Sequence, residues 1–595
     1  MHRQISTKLI SVAIWTSFAV LSACVWQSRF MTNDDVIMSA FASGAYTGRP
    51  TAHLVFIGTA LGGVIASLYG HFGSVPWYAI TLFGVNIVAL AAMSTVLWTR
   101  RSALGRPATA MAGLVLACWA SVAFLRPSFT GTAFSIAAAG LFVACTATDA
   151  AVARRWPAAA FGAVCLAVAA SVRWDSMLGA VVILIPYIAS RTPQSSLRYL
   201  LRFCAFAAAL VGIVSLTNVL GDQAPGWATY RDFNDARGEL HQTVQLTNVI
   251  AAPHEPEVAA MLQANDWTVD DVTLLSRWLF EQPDVYDTAK INRLVDVART
   301  SRFSGSWGQA WTIAVRGTGP MMVVLGAATV LASLRCRRAA RCAVLQLAWF
   351  TAIAVYVAHQ DRFPERVGLP LALIASMAIL LNADRVQPDS RRAEAPQILL
   401  VVLAAVSMWV SYNPFATAEA NLRLATSLNS QISTLRQADT AGVFVVVGAP
   451  IALEGQDALD TAGVFANEFI MPTGWASQSP SQLQRLERVR LSPDLLTSLL
   501  DQPHRYVVIS HRLLEPLSRV YLDRHDRRVK FIRLTEVSAT ASAYRVVTLS
   551  NVVANSASRR APKPVDPRDS QPSSLSLSIG PAMSRCAHGT SATNS

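Results

Sequence analysis

Repeated apolar runs of about 20 residues constrain the fold of this chain more than any other feature. A run of that length crosses the hydrocarbon core of a bilayer as one helix, and a helix satisfies its own backbone hydrogen bonds in lipid. Only 15% of the residues are charged, whereas soluble domains carry about 25%. The sequence therefore predicts a mostly α protein, built as a polytopic transmembrane helical bundle.

We predict about eleven spans, and the arginines between them indicate the orientation. Arginine-rich loops follow the even-numbered spans, so these loops share one side of the membrane with the amino terminus. Because Lys and Arg are enriched in cytoplasmic loops, the amino terminus is predicted to be cytoplasmic. This count requires that His53–Tyr69 does not span the membrane. The predicted spans are 9–30, 77–98, 108–125, 129–148, 157–172, 176–190, 198–219, 309–334, 342–358, 367–382 and 397–412.

The predicted topology divides the chain into a transmembrane domain, 1–412, and a small extracytoplasmic domain, 413–550. Two long outer loops, 31–76 and 220–307, belong to the first. The second alternates short apolar runs with helical stretches, which is the pattern of an α/β domain. From 551 to 595, Ser, Pro, Arg and Ala recur without periodicity, so this tail is predicted to be disordered. The predicted strands are 443–447, 506–509, 529–534 and 544–549.

The placement of charge and cysteine argues against two classes of function. The net charge is +13, but much of it lies in short loops between spans, where arginine fixes orientation. We therefore expect no nucleic acid among the partners. The eight cysteines form no CxxC motif, and most lie inside apolar runs. Neither a zinc site nor a disulfide framework is predicted.

An acidic pair, Asp34 and Asp35, stands directly after the first predicted span. Charged side chains near lipid are costly and usually functional. In one interpretation these residues only begin a helix, because Asn and Asp side chains accept backbone N–H bonds in a first turn. In the other, Asp34 and Asp35 are catalytic, and a carboxylate accepts a proton from an attacking hydroxyl group. Carboxylates also bind hard divalent cations, so Mg²⁺ or Mn²⁺ is a candidate cofactor at this pair.

Four arginines fall in short turns on the same predicted side of the membrane as the acidic pair. A guanidinium group forms two parallel hydrogen bonds with a phosphate, so converging arginines make a phosphate-binding clamp. In the alternative interpretation each arginine forms a local ion pair, for example with Asp175, Asp361 or Glu365, or anchors its turn at the interface. The four are Arg126, Arg173, Arg362 and Arg366.

The arrangement of predicted spans, outer loops and acidic motif resembles the type C glycosyltransferase superfamily. Its members are polytopic enzymes that take a sugar from a polyprenyl-phosphate carrier on the outer face of the membrane. Their acidic motif lies in the first outer loop, where Asn33-Asp34-Asp35 stands here. His53–Tyr69 and the loop 220–307 are similar to the interface helices and the large later loop of that family. No second acidic motif is identified in the later loop, which leaves metal dependence open.

Two spaced patterns also resemble those of uncharacterised bacterial multi-pass proteins of this design. One runs through the first outer loop, from Asn33 to Tyr78. The other lies in the large loop and consists of Trp227, Tyr230, Phe233-Asn234 and Arg237. The resemblance covers residues 1–412.

The resemblance implies a glycosyltransferase of the bacterial inner membrane, either a hexosyl- or a pentosyltransferase. It would move a sugar from a polyprenyl-phosphate carrier to an envelope glycan or protein on the extracytoplasmic face. Asp34 and Asp35 would be catalytic, and the arginines would bind the lipid phosphate. Two other functions stay open. A transporter or flippase of a lipid-linked glycan would use the same residues to recognise cargo, and a non-catalytic envelope assembly protein would bind a partner through its soluble domain.

Overall fold

The computed structural model of the protein is mostly helical, in agreement with the predicted fold class. A small sheet follows the membrane helices along the chain. The predicted tail 551–595 lies outside the described residues. The structure describes residues 2–149, 152–191, 197–243, 246–300, 307–319, 321–334, 337–360, 363–383, 394–448, 450–461, 463–465 and 470–549.

Within these residues, seven helices are long and apolar enough to cross a membrane, or eight if one sharply bent helix pair counts as a single span. A polytopic membrane protein is therefore confirmed by helix length and composition, whereas the number of about eleven spans stays a prediction. The first nine helices are α1 (His2–Cys24), α2 (Asn33–Ser43), α3 (Thr59–His71), α4 (Trp77–Leu125), α5 (Phe129–Thr146), α6 (Val152–Val172), α7 (Trp174–Ile183), α8 (Ile185–Arg191) and α9 (Leu197–Gly221).

Helix α4 contains two predicted spans in one element. Its 49 residues exceed the about 20 that a single crossing needs. Gly105 interrupts the helix with φ +69° and ψ 169°, a conformation that residues with a side chain rarely adopt. The predicted spans 77–98 and 108–125 are therefore the two halves of α4 on either side of this glycine.

The segment predicted not to span the membrane contains α3. This helix has 13 residues, fewer than one crossing requires. It packs against α2, α4, α6 and α9 at the end of the bundle that carries the acidic pair. Its length and packing agree with the prediction for His53–Tyr69.

The second outer loop folds around an apolar core of its own. Large aromatic side chains, including Tyr230, Phe233, Phe280 and Tyr286, are buried in it. Such a core gives the loop a defined shape, so it can hold side chains at fixed positions over the bundle. Its helices are α10 (Trp227–Thr243), α11 (Leu246–Ala251), α12 (Pro256–Asn265), α13 (Val269–Leu275) and α14 (Thr288–Thr300).

The chain then returns to the membrane bundle, with α18 among the most enclosed helices. Every residue of α18 from Gly368 to Asn382 is buried, and Pro364 precedes its first turn. That first turn carries Arg366. The helices of this part are α15 (Trp307–Thr318), α16 (Met321–Ser333), α17 (Arg337–His359), α18 (Glu365–Asn382), α19 (Glu394–Tyr412) and α20 (Pro414–Ala438).

The last part of the described chain is an α/β fold with a five-stranded sheet, as predicted. The strand order is β2-β1-β3-β5-β4, in which β1 pairs parallel with β2 and β3, and β5 pairs antiparallel with β3 and β4. The four predicted strands are β1, β3, β4 and β5, and the three-residue β2 was not predicted. The elements are β1 (Val443–Val446), β2 (Ile470–Pro472), α21 (Pro480–Arg488), α22 (Leu495–Leu499), β3 (Arg505–Ser510), α23 (Leu514–His525), β4 (Val529–Ser538) and β5 (Ala541–Thr548).

Shared apolar cores join this sheet to both outer loops. One core contains Phe41 and Tyr46 of the first outer loop together with Phe465 and Trp475. Another packs Leu274 of the second outer loop against the opposite side of the sheet. Residues Met1–Thr548 accordingly form one compact unit, and the α/β fold covers the end of the bundle where the acidic pair lies.

Candidate functional site

The acidic pair begins α2, the first helix after the amino-terminal span. Thr32 precedes this helix in an extended conformation, so Asn33, Asp34 and Asp35 occupy the first turn. Carboxylates are favoured there, because unpaired backbone N–H groups give this end of a helix a partial positive charge. Successive side chains leave a helix about 100° apart. Asp34 and Asp35 therefore face different surroundings.

Asp35 is completely buried, and its carboxylate accepts three hydrogen bonds. Oδ1 accepts from the Tyr78 hydroxyl at 2.9 Å and from the backbone N–H of Phe129 at 3.0 Å. Oδ2 accepts from the Thr32 hydroxyl at 2.9 Å. Burial raises the pKa of Asp35 to about 7, although the hydrogen bonds lower it. Both oxygens are hydrogen-bonded within the protein, so Asp35 links the start of α2 to the first residues of α4 and α5.

Asp34 is partly exposed and contacts two distant parts of the chain. Its Oδ1 accepts a hydrogen bond from the indole N–H of Trp475 at 2.9 Å. Its Oδ2 lies 3.3 Å from a guanidinium nitrogen of Arg366, and the two side chains are 14% and 30% exposed. Arg366 thus pairs with the acidic motif. Together, the contacts of Asp34 with Trp475 and Arg366 join the first outer loop to the α/β fold and to the start of α18.

Arg173 lies close to this ion pair. It precedes α7, and its guanidinium donates to the Thr130 hydroxyl at 2.8 Å and lies over the Phe129 ring at 4.8 Å. Burial lowers the pKa of Arg173, and the positive charge of Arg366 lowers it further, whereas the nearby carboxylates raise it. The structure therefore brings two of the four predicted arginines, Arg173 and Arg366, to the acidic pair.

Arg237 is a third cation near Asp34 to which the sequence analysis gave no role. It is buried, and Asn234 accepts hydrogen bonds from two of its nitrogens at 2.7 and 3.2 Å. Burial lowers the pKa of Arg237, whereas the negative charge of Asp34 raises it. Positions 230, 234 and 237 share one face of α10. The spacing of these residues in the sequence indicates that they share a helix face. It does not indicate which part of the fold that face contacts.

Trp475, which contacts Asp34, lies in a turn of the α/β fold. Residues of both outer loops bind or pack against this turn. The Trp475 carbonyl accepts a hydrogen bond from the Tyr230 hydroxyl at 2.6 Å, and its ring lies 4.9 Å from that of Phe56. Two residues later, the Ser477 hydroxyl donates to the buried carboxylate of Glu281. Burial raises the pKa of Glu281 to about 7. No sequence pattern indicated Trp475 or Glu281, because their contacts join segments far apart in the chain.

Arg126, a third predicted arginine, does not join this cluster. It ends α4, and within the described residues its guanidinium forms neither a hydrogen bond nor an ion pair with Asp34. Arg362 lies outside the described residues, so its predicted phosphate contact stays a prediction. The acidic pair is therefore accompanied by Arg173, Arg237 and Arg366.

The candidate metal site at Asp34 and Asp35 has an unfavourable set of donors. Across the part of the chain that the structure describes, no three His, Cys, Asp or Glu side chains are grouped to hold a metal ion. Asp35 is enclosed by three hydrogen-bond donors, and Asp34 contacts an indole N–H and a guanidinium. Mg²⁺ usually keeps several waters and is bound through only one or two carboxylates together with substrate phosphates. Both carboxylates of this pair already have partners in the protein, and a divalent cation at Asp34 and Asp35 stays a prediction.

Comparison with known proteins gives similar solved structures but no relative by sequence. No family model matches the chain, and no curated protein matches it. The chain is similar to crystal structures of ArnT from Cupriavidus metallidurans in the apo state and bound to undecaprenyl phosphate, with TM-scores of 0.38 and 0.37. Each is 14% identical and covers 90% of this chain and 97% of its own.

Proposed function

We propose that this protein is a membrane glycosyltransferase that moves a sugar from a polyprenyl-phosphate carrier to an acceptor hydroxyl group on the extracytoplasmic face. The observation that carries the proposal is the contact between Asp34, a partly exposed carboxylate, and Arg366 at the end of a membrane bundle. Arg173 and Arg237 add positive charge to the same place. A base beside converging guanidinium groups suits a reaction in which a hydroxyl loses a proton and a phosphate leaves.

In the proposed reaction, the acceptor oxygen attacks the anomeric carbon of the sugar, and its proton passes to Asp34. The bond between the anomeric carbon and the phosphate oxygen breaks, and its electron pair stays on that oxygen. Arg366 and Arg173 bind the polyprenyl phosphate and stabilise the charge that develops on it. The sugar is a hexose or a pentose, and the acceptor is an envelope glycan or protein.

The two acids have different roles in this proposal. Asp34 is the base, because it is partly exposed and its contacts can rearrange when a substrate phosphate binds Arg366. Asp35 is a positioning residue, because both of its oxygens bind buried donors. Trp475 holds Asp34 through its N–H, and Trp475 and Phe56 together form an aromatic wall beside it.

The experiment is a transfer assay in membranes that contain the protein. A panel of radiolabelled undecaprenyl-phosphate hexoses and pentoses is supplied, and label that leaves the carrier for an envelope acceptor is measured. Asp34→Asn should lower transfer by about 10²–10⁴-fold, because an amide cannot accept the proton. Asp523→Asn, which changes an exposed carboxylate of α23, is the matched control and should transfer normally.

Three outcomes would contradict the proposal. Full transfer by Asp34→Asn would show that Asp34 is not the base. Movement of the intact labelled carrier across proteoliposome membranes, with no label released from it, would instead indicate the transporter that the sequence left open. No transfer and no movement with the whole panel would favour the envelope assembly protein.

A further inference from the structure

Arg237 is a buried cation that forms no ion pair within the described part of the chain. It is 5% exposed, and two of its nitrogens donate to one oxygen of Asn234 at 2.7 and 3.2 Å. The third nitrogen, Nη1, has no hydrogen-bond partner among the described residues. A buried charge is costly unless an opposite charge and further hydrogen bonds compensate it. An anionic ligand would supply both.

Trp278 lies over this guanidinium group. The guanidinium carbon of Arg237 is 5.6 Å from the centre of the indole ring. Trp278 is 36% exposed, although its neighbours Leu279 and Phe280 are buried. Its backbone has φ +67°, which lies in the left-handed region that bulky residues rarely adopt. Strain of this kind persists only where the surrounding structure fixes it, and it is concentrated at binding and catalytic sites.

Arg237 and Trp278 lie beside the turn that carries Trp475. A Cβ atom added at Gly474, the residue before Trp475, would lie 3.9 Å from the Cβ of Trp278. Arg237 is two helical turns along α10 from Tyr230, whose hydroxyl donates to the Trp475 carbonyl. Because the same turn contacts the acidic pair, the two residues adjoin the proposed reaction site.

The charges around Arg237 favour a ligand with a single negative charge. Asp34 and Asp235 both raise the pKa of Arg237, so both carboxylates act on the same place. Neither Arg173 nor Arg366 contributes to this shift. A phosphate dianion would be repelled by the two carboxylates twice as strongly as a carboxylate group would be. One guanidinium group balances the charge of one carboxylate.

The exposed indole of Trp278 favours a sugar ring as the rest of the ligand. An indole has a large apolar face and a polar N–H at its edge. The C–H groups on one side of a pyranose ring pack against such a face, while the hydroxyl groups around the ring stay in water. A carboxylate at the edge of the sugar would then meet the guanidinium group beneath the indole.

We propose that Arg237 and Trp278 bind a sugar that carries a carboxylate, and that this sugar belongs to the acceptor glycan. The sugar ring packs on Trp278, and the carboxylate accepts hydrogen bonds from Arg237. The assignment to the acceptor rests on the proposed function, in which Arg366 and Arg173 bind the carrier phosphate. The binding itself does not rest on it. A carboxylated sugar on the carrier is the other source of this chemistry.

The experiment measures sugar binding to the purified full chain by saturation-transfer NMR, with no carrier lipid present. The probes are methyl β-glucuronide, methyl β-glucoside and the 6-phosphate of that glucoside, which differ only in the group at the sixth carbon. The unchanged protein should bind the glucuronide about tenfold more tightly than either other probe. Arg237→Gln should remove this preference and leave the affinity for the glucoside unchanged. Trp278→Gly should lower the affinities for the glucuronide and the glucoside by the same factor.

Further variants separate binding from folding. Glycine adopts positive φ readily, so Trp278→Gly removes the indole without opposing the backbone conformation. Trp278→Tyr keeps an aromatic ring and should bind both sugars. Arg237→Lys keeps the charge without the planar fork and should retain a reduced preference for the glucuronide. Arg533→Gln, which removes an exposed arginine of β4, is the matched control and should bind every probe as the unchanged protein does.

Equal affinities of the unchanged protein for the glucuronide and the glucoside would overturn the inference, as would a full preference retained by Arg237→Gln. Tighter binding of the phosphate probe would also overturn it, because the site would then select a dianion. In the transfer assay, competition of the glucuronide with the acceptor would support the assignment, whereas competition with the carrier would overturn it. The NMR measurement needs no transfer, so a failure of the proposed function leaves its result intact.

Discussion

Asp34 and Asp35 occupy successive positions in one helical turn, and burial gives them different chemistry. Asp35 is enclosed and accepts three hydrogen bonds, whereas Asp34 is 14% exposed and pairs with Arg366. A buried carboxylate whose two oxygens are hydrogen-bonded within the protein does not contact a substrate. Its main effect is to position the residues that it binds. A partly exposed carboxylate can meet a substrate. This difference is the basis for assigning positioning to one acid and proton transfer to the other.

The first prediction compares the stability of variants at the two acids. Asp35→Ala should lower the free energy of unfolding by about 2–4 kcal/mol, because the Phe129 N–H and the Tyr78 hydroxyl lose their partner in a buried place. Asp34→Ala should cost less, about 1 kcal/mol, because Asp34 is partly exposed and water can replace part of its contacts with Arg366 and Trp475. Thermal unfolding of the detergent-solubilised protein measures both. Equal costs at the two positions would contradict the different burial of the acids.

The second prediction concerns pH and Glu281. Burial raises the pKa of Glu281 from 4.5 to about 7, so the folded protein holds this proton more tightly than the unfolded chain does. Its contribution to stability is full below about pH 4 and is lost as the pH rises to about 7, by roughly 3 kcal/mol at most. Glu281→Gln keeps the geometry of the protonated acid and removes its titration.

The stability of Glu281→Gln should therefore decline less than that of the unchanged protein between pH 4.5 and 7. Asp35 titrates in the same window and remains in both proteins, so the difference between the two pH profiles isolates Glu281. Chemical unfolding at a series of pH values gives these profiles. Parallel profiles would mean that Glu281 is ionised in the folded protein throughout this range.

At the scale of elements, close contacts at glycine hold α5 against α6. A Cβ atom added at Gly162 would lie 2.8 Å from the Gly140 carbonyl oxygen and 3.1 Å from the Cβ of Ala144. Small residues allow helix backbones to approach closely, which is a main source of helix association in membranes. The fixed position of α5 matters for the site, because its first residues bind Asp35 and Arg173.

The third prediction tests this helix contact. Gly162→Ala should lower the melting temperature of the protein, with a cost of about 1–3 kcal/mol from overpacking. Gly113→Ala is the matched control in α4, where an added Cβ meets nothing within 4 Å. It should be neutral or slightly stabilising, because alanine favours a helix more than glycine does. If both variants melt at the same temperature, the close contact contributes nothing.

At the scale of the whole molecule, the α/β fold and the two outer loops share apolar cores over the acidic pair. The positions of Trp475 and Arg237 depend on this packing, since each reaches the site from a different segment. The site is consequently a property of the assembled unit Met1–Thr548. The orientation of this unit in the membrane is a prediction from the arginine-rich loops between spans.

The fourth prediction concerns that orientation. Arginine-rich loops such as the one at Arg100 and Arg101 are expected in the cytoplasm, which places the α/β fold and the acidic pair outside it. Alkaline phosphatase fused after Thr548 should be active, because this reporter folds only outside the cytoplasm. The same reporter fused after Arg101 should be inactive. The reverse pattern of activity would invert the topology and remove the site from the extracytoplasmic face.

The sequence by itself determined the features that depend on neighbouring residues. Long apolar runs predicted membrane helices, and short apolar runs between helical stretches predicted the four longer strands. One of the two interpretations of Asp34 and Asp35 placed them at the start of a helix, where the structure has them. These predictions succeeded because helix length, periodicity and first-turn preferences are set within a few residues. The three-residue β2 was missed, since so short a strand has no periodicity of its own.

Only the tertiary structure decided which acid is buried, which arginines approach the other one and what completes the site. Trp475 lies 441 residues from Asp34, and neither residue carries a local sign of the other. Arg173 and Arg366 reach the acidic pair, whereas Arg126 lines a separate cavity, although all three looked alike as arginines in short turns. The physical reason is that burial and charge pairing depend on how helices and loops pack together, and packing joins residues that the sequence keeps far apart.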